Sequence, residues 1–401
     1  TSQDGASTSD DVLFGAAGDV TSTSGTVTID ADNAGGTADV TMADGAVINA
    51  GSGLIDIDAD ADINVGGLVT TGEVQANAGA GGTGAIIDNG DTDADITAAT
   101  AQLIAQTGIG DADDPNGALD TVADAAATSL TIGALTESGD INVTNSGHLV
   151  VGTVNGTAGA TIIDFGLDDL GDDIALVANS PLAVNDAVTN NDGGDITLTA
   201  AGATTADDAT LNANVTAAGG NGNITVNAGS DIVQAAASDV VAAGSGAIDY
   251  NASTGAAGGI AMSDGAEANS GTGQITMDAS GDITLGGVST ANAAAAVTID
   301  STGGDIIDGG DTDVDIVANA VGSEVILNSD GGTGDGSPAS GAADAALETQ
   351  IAQLEADVSG TGDVDLVETD DIIFDDISTA AGHLTVVAGG SITNTATATI
   401  S

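Results

Sequence analysis

The 401-residue chain contains no Lys and no Arg, against 61 Asp and Glu residues, and its formal net charge is -61. A chain without these cations cannot neutralise phosphates, which excludes nucleic acid and anionic membrane surfaces as direct partners. The absence of Cys excludes disulfide bonds and thiolate metal sites. Trp is also absent, and the few aromatic residues are Phe14, Phe165, Tyr250 and Phe374. A conventional globular core of large side chains is therefore not expected.

Small aliphatic residues and glycine make up much of the chain instead. The hydrophobic fraction is 41%, the mean hydropathy is +0.22, and there are 61 Gly residues, a composition that does not fit a disordered acidic chain. No stretch reaches the roughly 18 consecutive apolar residues that a membrane span needs, so direct membrane insertion is not expected. Asp supplies 54 of the 61 acidic residues and Glu seven, which favours turns and the binding of hard cations.

Short segments of one type recur along the whole chain. Each begins with Gly and a polar residue and continues with alternating β-branched and polar residues, which is the period of a β-strand opened by a turn. Clear examples are Gly139-Asp-Ile-Asn-Val-Thr144, Gly194-Asp-Ile-Thr-Leu-Thr199, Gly222-Asn-Ile-Thr-Val-Asn227 and Gly281-Asp-Ile-Thr-Leu-Gly286. The pattern predicts an all-β protein.

Two all-β architectures satisfy this pattern, and the scarcity of aromatic residues distinguishes them. Sandwich domains fill their cores with large side chains, whereas a narrow solenoid stacks Ile, Val, Leu and Ala in ladders. The composition therefore favours a parallel β-helix, or β-solenoid. A calcium-rigidified string of Ig-like or cadherin-like β-sandwich modules is the alternative.

In addition to the short strand pattern, the sequence repeats at a longer interval of 220 residues. Met42 to Gly67 aligns without a gap on Met262 to Gly287, with 14 of 26 residues identical. Ile86 to Ile96 aligns on Ile306 to Ile316 at the same offset, with 9 of 11 identical. This predicts two long repeats of one solenoid, residues 1–220 and a truncated second copy at 221–401.

Each copy also contains a segment whose apolar spacing differs from that of the strands. After Pro338, the residues Leu347, Ile351, Leu354 and Val358 follow one another at intervals of four, three and four, which is typical of an amphipathic helix. A weaker series follows Pro115 in the first copy. We therefore expect short helical insertions near 117–128 and 342–358.

The repeated segments resemble those of filamentous-haemagglutinin-like large exoproteins and of giant bacterial surface repeat proteins. The resemblance is carried by Gly194-Asp-Ile-Thr-Leu-Thr-Ala200, Gly222-Asn-Ile-Thr-Val-Asn-Ala-Gly229 and Gly382-His-Leu-Thr-Val-Val-Ala-Gly-Gly-Ser-Ile-Thr393. It implies a right-handed parallel β-helix, secretion to the cell surface, and work as an adhesin or surface fibre.

Two acidic turns are candidates for binding calcium. Each brings carboxylates together in the oxygen-rich setting that Ca²⁺ prefers, although the Gly and closing Glu of an EF-hand are missing. The alternative is a solvated acidic corner retained by duplication. The candidate ligands are Asp88, Asp91, Asp93 and Asp95 in the first copy and Asp308, Asp311, Asp313 and Asp315 in the second.

Other motifs carry little chemistry. His148 and His383 have no second His or Cys with which to complete a transition-metal site, and a structural or surface role is expected for both. Sequons, which mark acceptors for N-glycosylation, occur as Asn-x-Thr at Asn142, Asn155, Asn214 and Asn223 and as Asn-x-Ser at Asn251.

The sequence therefore predicts a structural protein and no catalytic residues. A secreted polysaccharide-active β-helix enzyme ranks low, because such sites need cations and aromatic platforms that the chain lacks. We expect an extracellular β-solenoid that forms or decorates a surface filament, sheath or adhesin stalk. The expected partners are further copies, joined end to end in a fibre, and a cell-surface or glycan receptor.

Overall fold

The computed structural model describes residues 10–33, 35–88, 90, 92–110, 117–163, 171–252, 258–310, 313–334 and 346–401. Within these residues there are strands, turns and bends but no helix. The chain divides into two compact units, Thr1–Ala200 and Ala201–Ser401. Each unit is built from successive coils of parallel strands, which is the architecture of a parallel β-solenoid.

The described residues of the first unit form twenty-one strands. They are β1 (Val12–Phe14), β2 (Val20–Thr21), β3 (Val27–Ala31), β4 (Val40–Met42), β5 (Val47–Gly51), β6 (Ile55–Ala59), β7 (Ile63–Val65), β8 (Gly67–Thr70), β9 (Glu73–Ala78), β10 (Ile86–Asp88), β11 (Ile96–Ala98), β12 (Thr100–Ala105), β13 (Leu119–Ala123), β14 (Leu130–Thr136), β15 (Ile141–Asn145), β16 (Leu149–Val151), β17 (Ala160–Ile162), β18 (Ile174–Ala178), β19 (Leu182–Val184), β20 (Val188–Asn190) and β21 (Ile196–Ala200).

Strands of successive coils in this unit pair in parallel and form columns. One column contains β1, β4, β7 and β10, a second contains β2, β5, β8 and β11, and a third contains β3, β6, β9, β12 and β14. Equivalent apolar residues lie directly above one another in the first column, which the later strands β15, β18 and β21 continue. The ladder is Val12, Val40, Ile63, Ile86, Ile109, Ile141, Ile174 and Ile196.

In the second unit, too, twenty-one strands lie within the part that the structure describes. They are β22 (Ala209–Leu211), β23 (Val215–Ala217), β24 (Ile224–Ala228), β25 (Ile232–Gln234), β26 (Asp239–Ala242), β27 (Ile248–Ala252), β28 (Ile260–Met262), β29 (Glu267–Asn269), β30 (Ile275–Ala279), β31 (Ile283–Leu285), β32 (Gly287–Ser289), β33 (Ala295–Ser301), β34 (Ile306–Asp308), β35 (Ile316–Ala318), β36 (Glu324–Ser329), β37 (Leu347–Ile351), β38 (Gln353–Val358), β39 (Val364–Glu368), β40 (Ile372–Thr379), β41 (Leu384–Ala388) and β42 (Ile392–Ile400).

The columns of the second unit follow the same plan. One column contains β24, β27, β30, β33, β36, β38, β40 and β42. Another carries an apolar ladder interrupted by one Thr, and it runs through Ala209, Ile232, Ile260, Ile283, Ile306, Thr333, Val364 and Leu384. Every pairing given above between the named strands is parallel, and the antiparallel bridge between Val154 and Thr157 is an isolated one outside these strands. The β-sandwich alternative is therefore wrong.

Alternation along each strand separates the interior from the surface. In β6, for example, Ile55, Ile57 and Ala59 are buried while Asp56 and Asp58 between them are half-buried and face outward. Burying an Ile side chain contributes about 1.5–3 kcal/mol, and the stack repeats that gain in every coil. Short apolar residues thus build a core without aromatic side chains.

The predicted helical insertions are wrong for the described residues. The strand β13 occupies much of 117–128, and β37 and β38 occupy 347–358; residues 342–345 lie outside the described part of the chain. Leu347 and Ile351 face inward in β37, and Leu354 and Val358 do so in β38. A corner at Ala352 separates the strands and shifts the alternation by one residue. Two strands with such a corner reproduce the spacing of a helical face.

Strand boundaries recur at the 220-residue offset that the sequence repeat gives. The bounds of β4, β6, β7, β10 and β11 in the first unit correspond residue for residue to those of β28, β30, β31, β34 and β35 in the second. The copies at 1–220 and 221–401 remain a prediction, as does the right-handed sense that the resemblance implies.

Candidate cation-binding site

Aspartates at the corners of the solenoid accept hydrogen bonds from the next coil. The Asp39 amide donates to Asp11 Oδ1 at 3.2 Å, and the Asp62 amide donates to Asp39 Oδ1 at 3.0 Å. The Ala85 amide then donates to Asp62 Oδ1 at 2.9 Å. A carboxylate at this position ties one coil to the next, and Asp282 of the Gly281-Asp opening does the same, because its Oδ1 accepts the Asp305 amide at 2.9 Å.

The predicted acidic turns divide into buried and exposed residues. Asp88 and Asp95 in the first copy are 6% and 1% exposed, and Asp308 and Asp315 in the second copy have the same values. The aspartates between them, Asp93 and Asp313, are exposed, while Asp91 and Asp311 lie outside the described residues. Two of the four predicted carboxylates of each copy are therefore buried, and the four-ligand calcium site remains a prediction.

A third carboxylate joins the buried pair in the second copy. Asp308, Asp315 and Glu348 each place one oxygen within 4.8 Å of the others. Backbone pairing between coils fixes this arrangement, because the Glu348 amide donates to Asp315 Oδ2 at 2.8 Å and the Asp315 amide donates to the Glu348 carbonyl at 2.8 Å. Three oxygens at this separation match the ligand type of a hard cation.

The first copy has the same backbone arrangement with Asp120 in the place of Glu348. The Asp120 amide donates to Asp95 Oδ2 at 2.8 Å, and the Asp95 amide donates to the Asp120 carbonyl at 2.8 Å. Asp is shorter than Glu by one methylene, so its carboxylate reaches less far from the strand. The two copies therefore differ in the reach of the third ligand.

Sequence reasoning missed Glu348 because it lies in a segment predicted to be helical. A detectable indication was present, since Ala346-Leu-Glu-Thr349 matches Ala118-Leu-Asp-Thr121 after the interruption in each copy. The match places an acidic residue at the same point of both copies. The structure adds that this point lies beside the buried aspartates of the preceding coil.

A second acidic group lies on an outward face of the second unit. Glu324, Glu355 and Asp375 also place one oxygen each within 4.8 Å of the others. Partial burial and the neighbouring carboxylates, Glu324 foremost, raise the pKa of Glu355 above its ordinary value. Thr395 Oγ1 donates to Asp375 Oδ1 at 2.6 Å, and Gln353 Nε2 donates to Glu324 Oε1 at 2.8 Å. The side chains of Thr395 and Gln353 therefore already donate hydrogen bonds to two carboxylates of this group.

The histidines lie apart from both groups in sequence. Burial lowers the pKa of His148, which is half-buried. His383 is largely exposed, and its Nδ1 lies 3.3 Å from Asp363 Oδ1. Its amide donates to the same oxygen at 2.7 Å, so Asp363 fills the corner role here as well.

Comparison with protein-family models, curated proteins and solved structures gives no match. The all-parallel solenoid is compatible with the β-helix of filamentous-haemagglutinin-like exoproteins, but no family match supports membership. Among the described residues, no helix is long and apolar enough to cross a membrane.

Proposed function

We propose that the chain is a structural extracellular protein, a β-solenoid that forms or decorates a surface filament, sheath or adhesin stalk. The observation that carries this proposal is the in-register stacking of small apolar residues from coil to coil within each unit. In such a repeat each coil contacts mainly its neighbours, so further coils lengthen the structure without a new core. This property suits a spacer or a stalk.

The acidic exterior fits the same role. With a formal charge of -61 and no Lys or Arg, the chain stays soluble and resists lateral association through like-charge repulsion. The absence of Lys and Arg also removes the cleavage sites of trypsin-like proteases. A surface fibre exposed to proteases benefits from both properties.

Calcium binding at the buried acidic turns supplies rigidity in this proposal. Asp308, Asp315 and Glu348 would hold the ion in the second copy, and Asp88, Asp95 and Asp120 in the first. The support is the convergence of carboxylates within 4.8 Å in the second copy and the recurrence of the same interstrand hydrogen bonds in the first. An ion bound between coils would resist their separation.

End-to-end association of further coils completes the proposed fibre. Ile392 and Ile400 of β42 are 48% and 55% exposed, and Val387 of β41 is 59% exposed. Another parallel coil placed on these strands would bury their apolar side chains and pair with their backbone. In this role the chain acts by binding a receptor or its own copies, and it has no enzymatic turnover.

Antibody labelling of intact cells tests the location and the role together. Gold-labelled antibody against the purified chain, viewed by electron microscopy on cells that make the protein, is expected to decorate thin surface filaments or a sheath. Labelling confined to the interior of sectioned cells would refute the extracellular role. A screen of the purified chain against polysaccharides is expected to show no cleavage, and reproducible turnover would refute the structural assignment.

Chelation separately tests the calcium sites. Calcium is expected to raise the melting temperature of the wild-type chain and chelation to lower it, with a smaller response in Asp308→Asn and Glu348→Gln variants. Asp44→Asn removes one charge at an exposed position and should respond as the wild type does. A melting temperature that calcium does not change at low or high salt would rule out these sites without affecting the labelling experiment.

A further inference from the structure

One excursion of the first unit leaves the parallel columns. Val154 and Thr157 form an antiparallel bridge, in which the amide of each donates to the carbonyl of the other at 2.9 Å. Asn155 and Gly156 between them have φ values of 47° and 92°. Positive φ at both central residues defines a type I′ hairpin turn. The tip of this hairpin is exposed.

The base of the hairpin packs against a glycine of the neighbouring coil. Residues 130–132 of β14 pair with β16, and residues 134–136 pair with β17, so the hairpin leaves the stack opposite Gly133. A Cβ atom at Gly133 would lie 2.3 Å from the Thr157 carbonyl oxygen. Only glycine allows this close approach, which fixes the base of the hairpin.

A glutamine of the preceding coil fastens the turn. Gln102 pairs with Gly133 in the strand register. Its Nε2 donates to Thr157 Oγ1 at 2.9 Å, and Asn155 Nδ2 donates to Gln102 Oε1 at 3.2 Å. The hairpin is thus held in one conformation with its tip toward solvent.

Asn155 and Gly156 at the tip form a sequon with Thr157 at the base of the hairpin, and we propose that Asn155 is an N-glycosylation site of the folded chain. Asn155 and Gly156 are exposed outside the parallel ladders, where a transferase can reach them. Thr157 is 9% exposed and its Oγ1 accepts from Gln102 Nε2, so a transferase that binds the tripeptide must displace this bond. The proposal rests on the proposed extracellular location, because N-glycans are added to exported chains.

The other sequons lie within the stack. Asn214 Oδ1 accepts the Asp239 amide at 2.9 Å, and Asn223 Oδ1 accepts the Ala247 amide at 2.9 Å, so both side chains tie one coil to the next. Asn251 Nδ2 donates to Asn227 Oδ1 at 3.1 Å across β24 and β27, and Asn142 lies within β15. Asn214 and Asn223 are exposed as well, but each lies directly before a strand of the parallel columns and is tied to the next coil, whereas Asn155 lies in a hairpin outside these columns.

The reaction uses a lipid-linked oligosaccharide as the sugar donor. A bond forms between Asn155 Nδ2 and the anomeric carbon of the first sugar, while the bond from that carbon to the lipid diphosphate oxygen breaks. Nδ2 loses one proton, and the lipid diphosphate leaves. The remaining Nδ2 hydrogen can still be donated to Gln102 Oε1, so the modified residue can keep its contact with Gln102.

In vitro transfer to the folded chain tests the site independently of cellular location. The full chain carries an appended flexible tail with one Asn-x-Thr sequon as an internal positive control, and it is incubated with a purified oligosaccharyltransferase and a lipid-linked oligosaccharide. Peptide mass mapping is expected to find glycan on the tail and on Asn155, with at least tenfold lower occupancy at Asn214 and Asn223. Asn155→Gln and Thr157→Ala should lose the Asn155 glycan, and Asn223→Gln should keep it.

Because a change in the turn could disturb the fold, Asn155→Asp serves as a second variant, since Asp also tolerates the left-handed conformation. Its far-UV circular dichroism should match the wild type while glycan is found on the tail alone. Modification of the tail without Asn155, or equal occupancy at Asn223 in folded chain, would overturn the proposal. Either result would leave the structural role of the solenoid to be judged by the labelling experiment alone.

Discussion

Aspartate occupies two kinds of position in this protein, with opposite energetic consequences. At corners such as Asp39 and Asp62 the carboxylate accepts an amide of the next coil and stabilises the stack. On outward strand faces, carboxylates lie opposite one another with no Lys or Arg in the chain to separate them. Asp278 of β30 lies directly opposite Asp300 of β33.

Replacing Asp278 with Asn is expected to stabilise the protein. The substitution removes like-charge repulsion across the strand pair, and such opposed pairs change stability by roughly 0.2–1 kcal/mol. Urea unfolding at low salt should show the higher midpoint for Asp278→Asn, and 1 M salt should reduce the difference by screening. Asp44→Asn, at an exposed turn position, is the charge-matched control. A destabilised Asp278→Asn variant at low salt would contradict this account.

Mild acidification is also expected to stabilise the protein. Burial raises the pKa of Asp56, Asp278, Glu355 and Glu368 above their ordinary values, with neighbouring carboxylates adding to the effect. The folded state therefore binds protons more tightly than the unfolded state, and the contribution of these groups to stability falls as pH rises through the raised values.

The measurement is urea unfolding at a series of pH values from 7 downward. The unfolding free energy should rise as pH falls toward the ordinary values of 3.8 for Asp and 4.5 for Glu. The Asp278→Asn variant should show a smaller rise than the wild type, because one of the responsible groups is gone. A free energy that falls steadily from pH 7 would show that other groups dominate the titration.

Corners and strands together define the coil as the structural element. The strands supply inward apolar residues, while the corners must let two backbones approach closely. At Gly362 a Cβ atom would lie 1.5 Å from the Gly331 carbonyl oxygen. This corner therefore depends on the missing side chain of glycine rather than on its conformational freedom.

Gly362→Ala is expected to destabilise the second unit by about 1–3 kcal/mol, the usual cost of overpacking. Gly15→Ala is the matched control, because a Cβ atom at Gly15 meets nothing within 4 Å. Thermal unfolding followed by circular dichroism at the strand wavelength measures both. Equal melting temperatures for the two variants would contradict the close approach at Gly362.

The whole molecule carries a net charge that ion pairs cannot offset. Added salt screens the repulsion between carboxylates. Because the chain has no Lys or Arg, salt has almost no attractive ion pair to weaken, apart from exposed contacts such as His383 with Asp363. The melting temperature is therefore expected to rise steadily between about 10 mM and 1 M sodium chloride. A maximum at intermediate salt followed by a clear fall would contradict this expectation.

Association of copies should follow the same charge dependence. At low salt without divalent ions, repulsion should keep the chain monomeric, and physiological salt with calcium should promote larger end-to-end species. Sedimentation velocity measures the size distribution, and electron microscopy shows whether the contacts are end to end. A single monomeric species under both conditions would remove the fibre proposal.

Several features of the site were predictable from sequence and others were not. The repeated Ile-Ile-Asp turns gave the positions of Asp88, Asp95, Asp308 and Asp315. The corner between two strands could not be found, because Ile55 to Val65 reads as one uninterrupted alternation. In the structure β6 and β7 are separate, and Asp60 between them is buried, with Oδ2 accepting the Asn33 amide at 2.6 Å.

The sequence by itself determined the class of fold and the character of the surface. Alternating β-branched residues after Gly-Asp openings specify strands, the shortage of aromatic residues favours narrow coils, and the absence of Lys and Arg fixes the charge. These are local or compositional properties, which a sequence carries directly.

Only the tertiary structure decided which residues meet. Glu348 joins Asp308 and Asp315 because successive coils stack in a fixed register, and Asn155 is exposed because Gly133 of the preceding coil lets the base of its hairpin approach closely. Both results depend on where corners fall and how many residues each coil contains. A corner can shift the alternation of inward and outward residues by one residue. The number of residues in a coil also varies with its loops, which the two-residue strand period does not constrain. The pairing register between strands of successive coils is therefore set by packing between the coils.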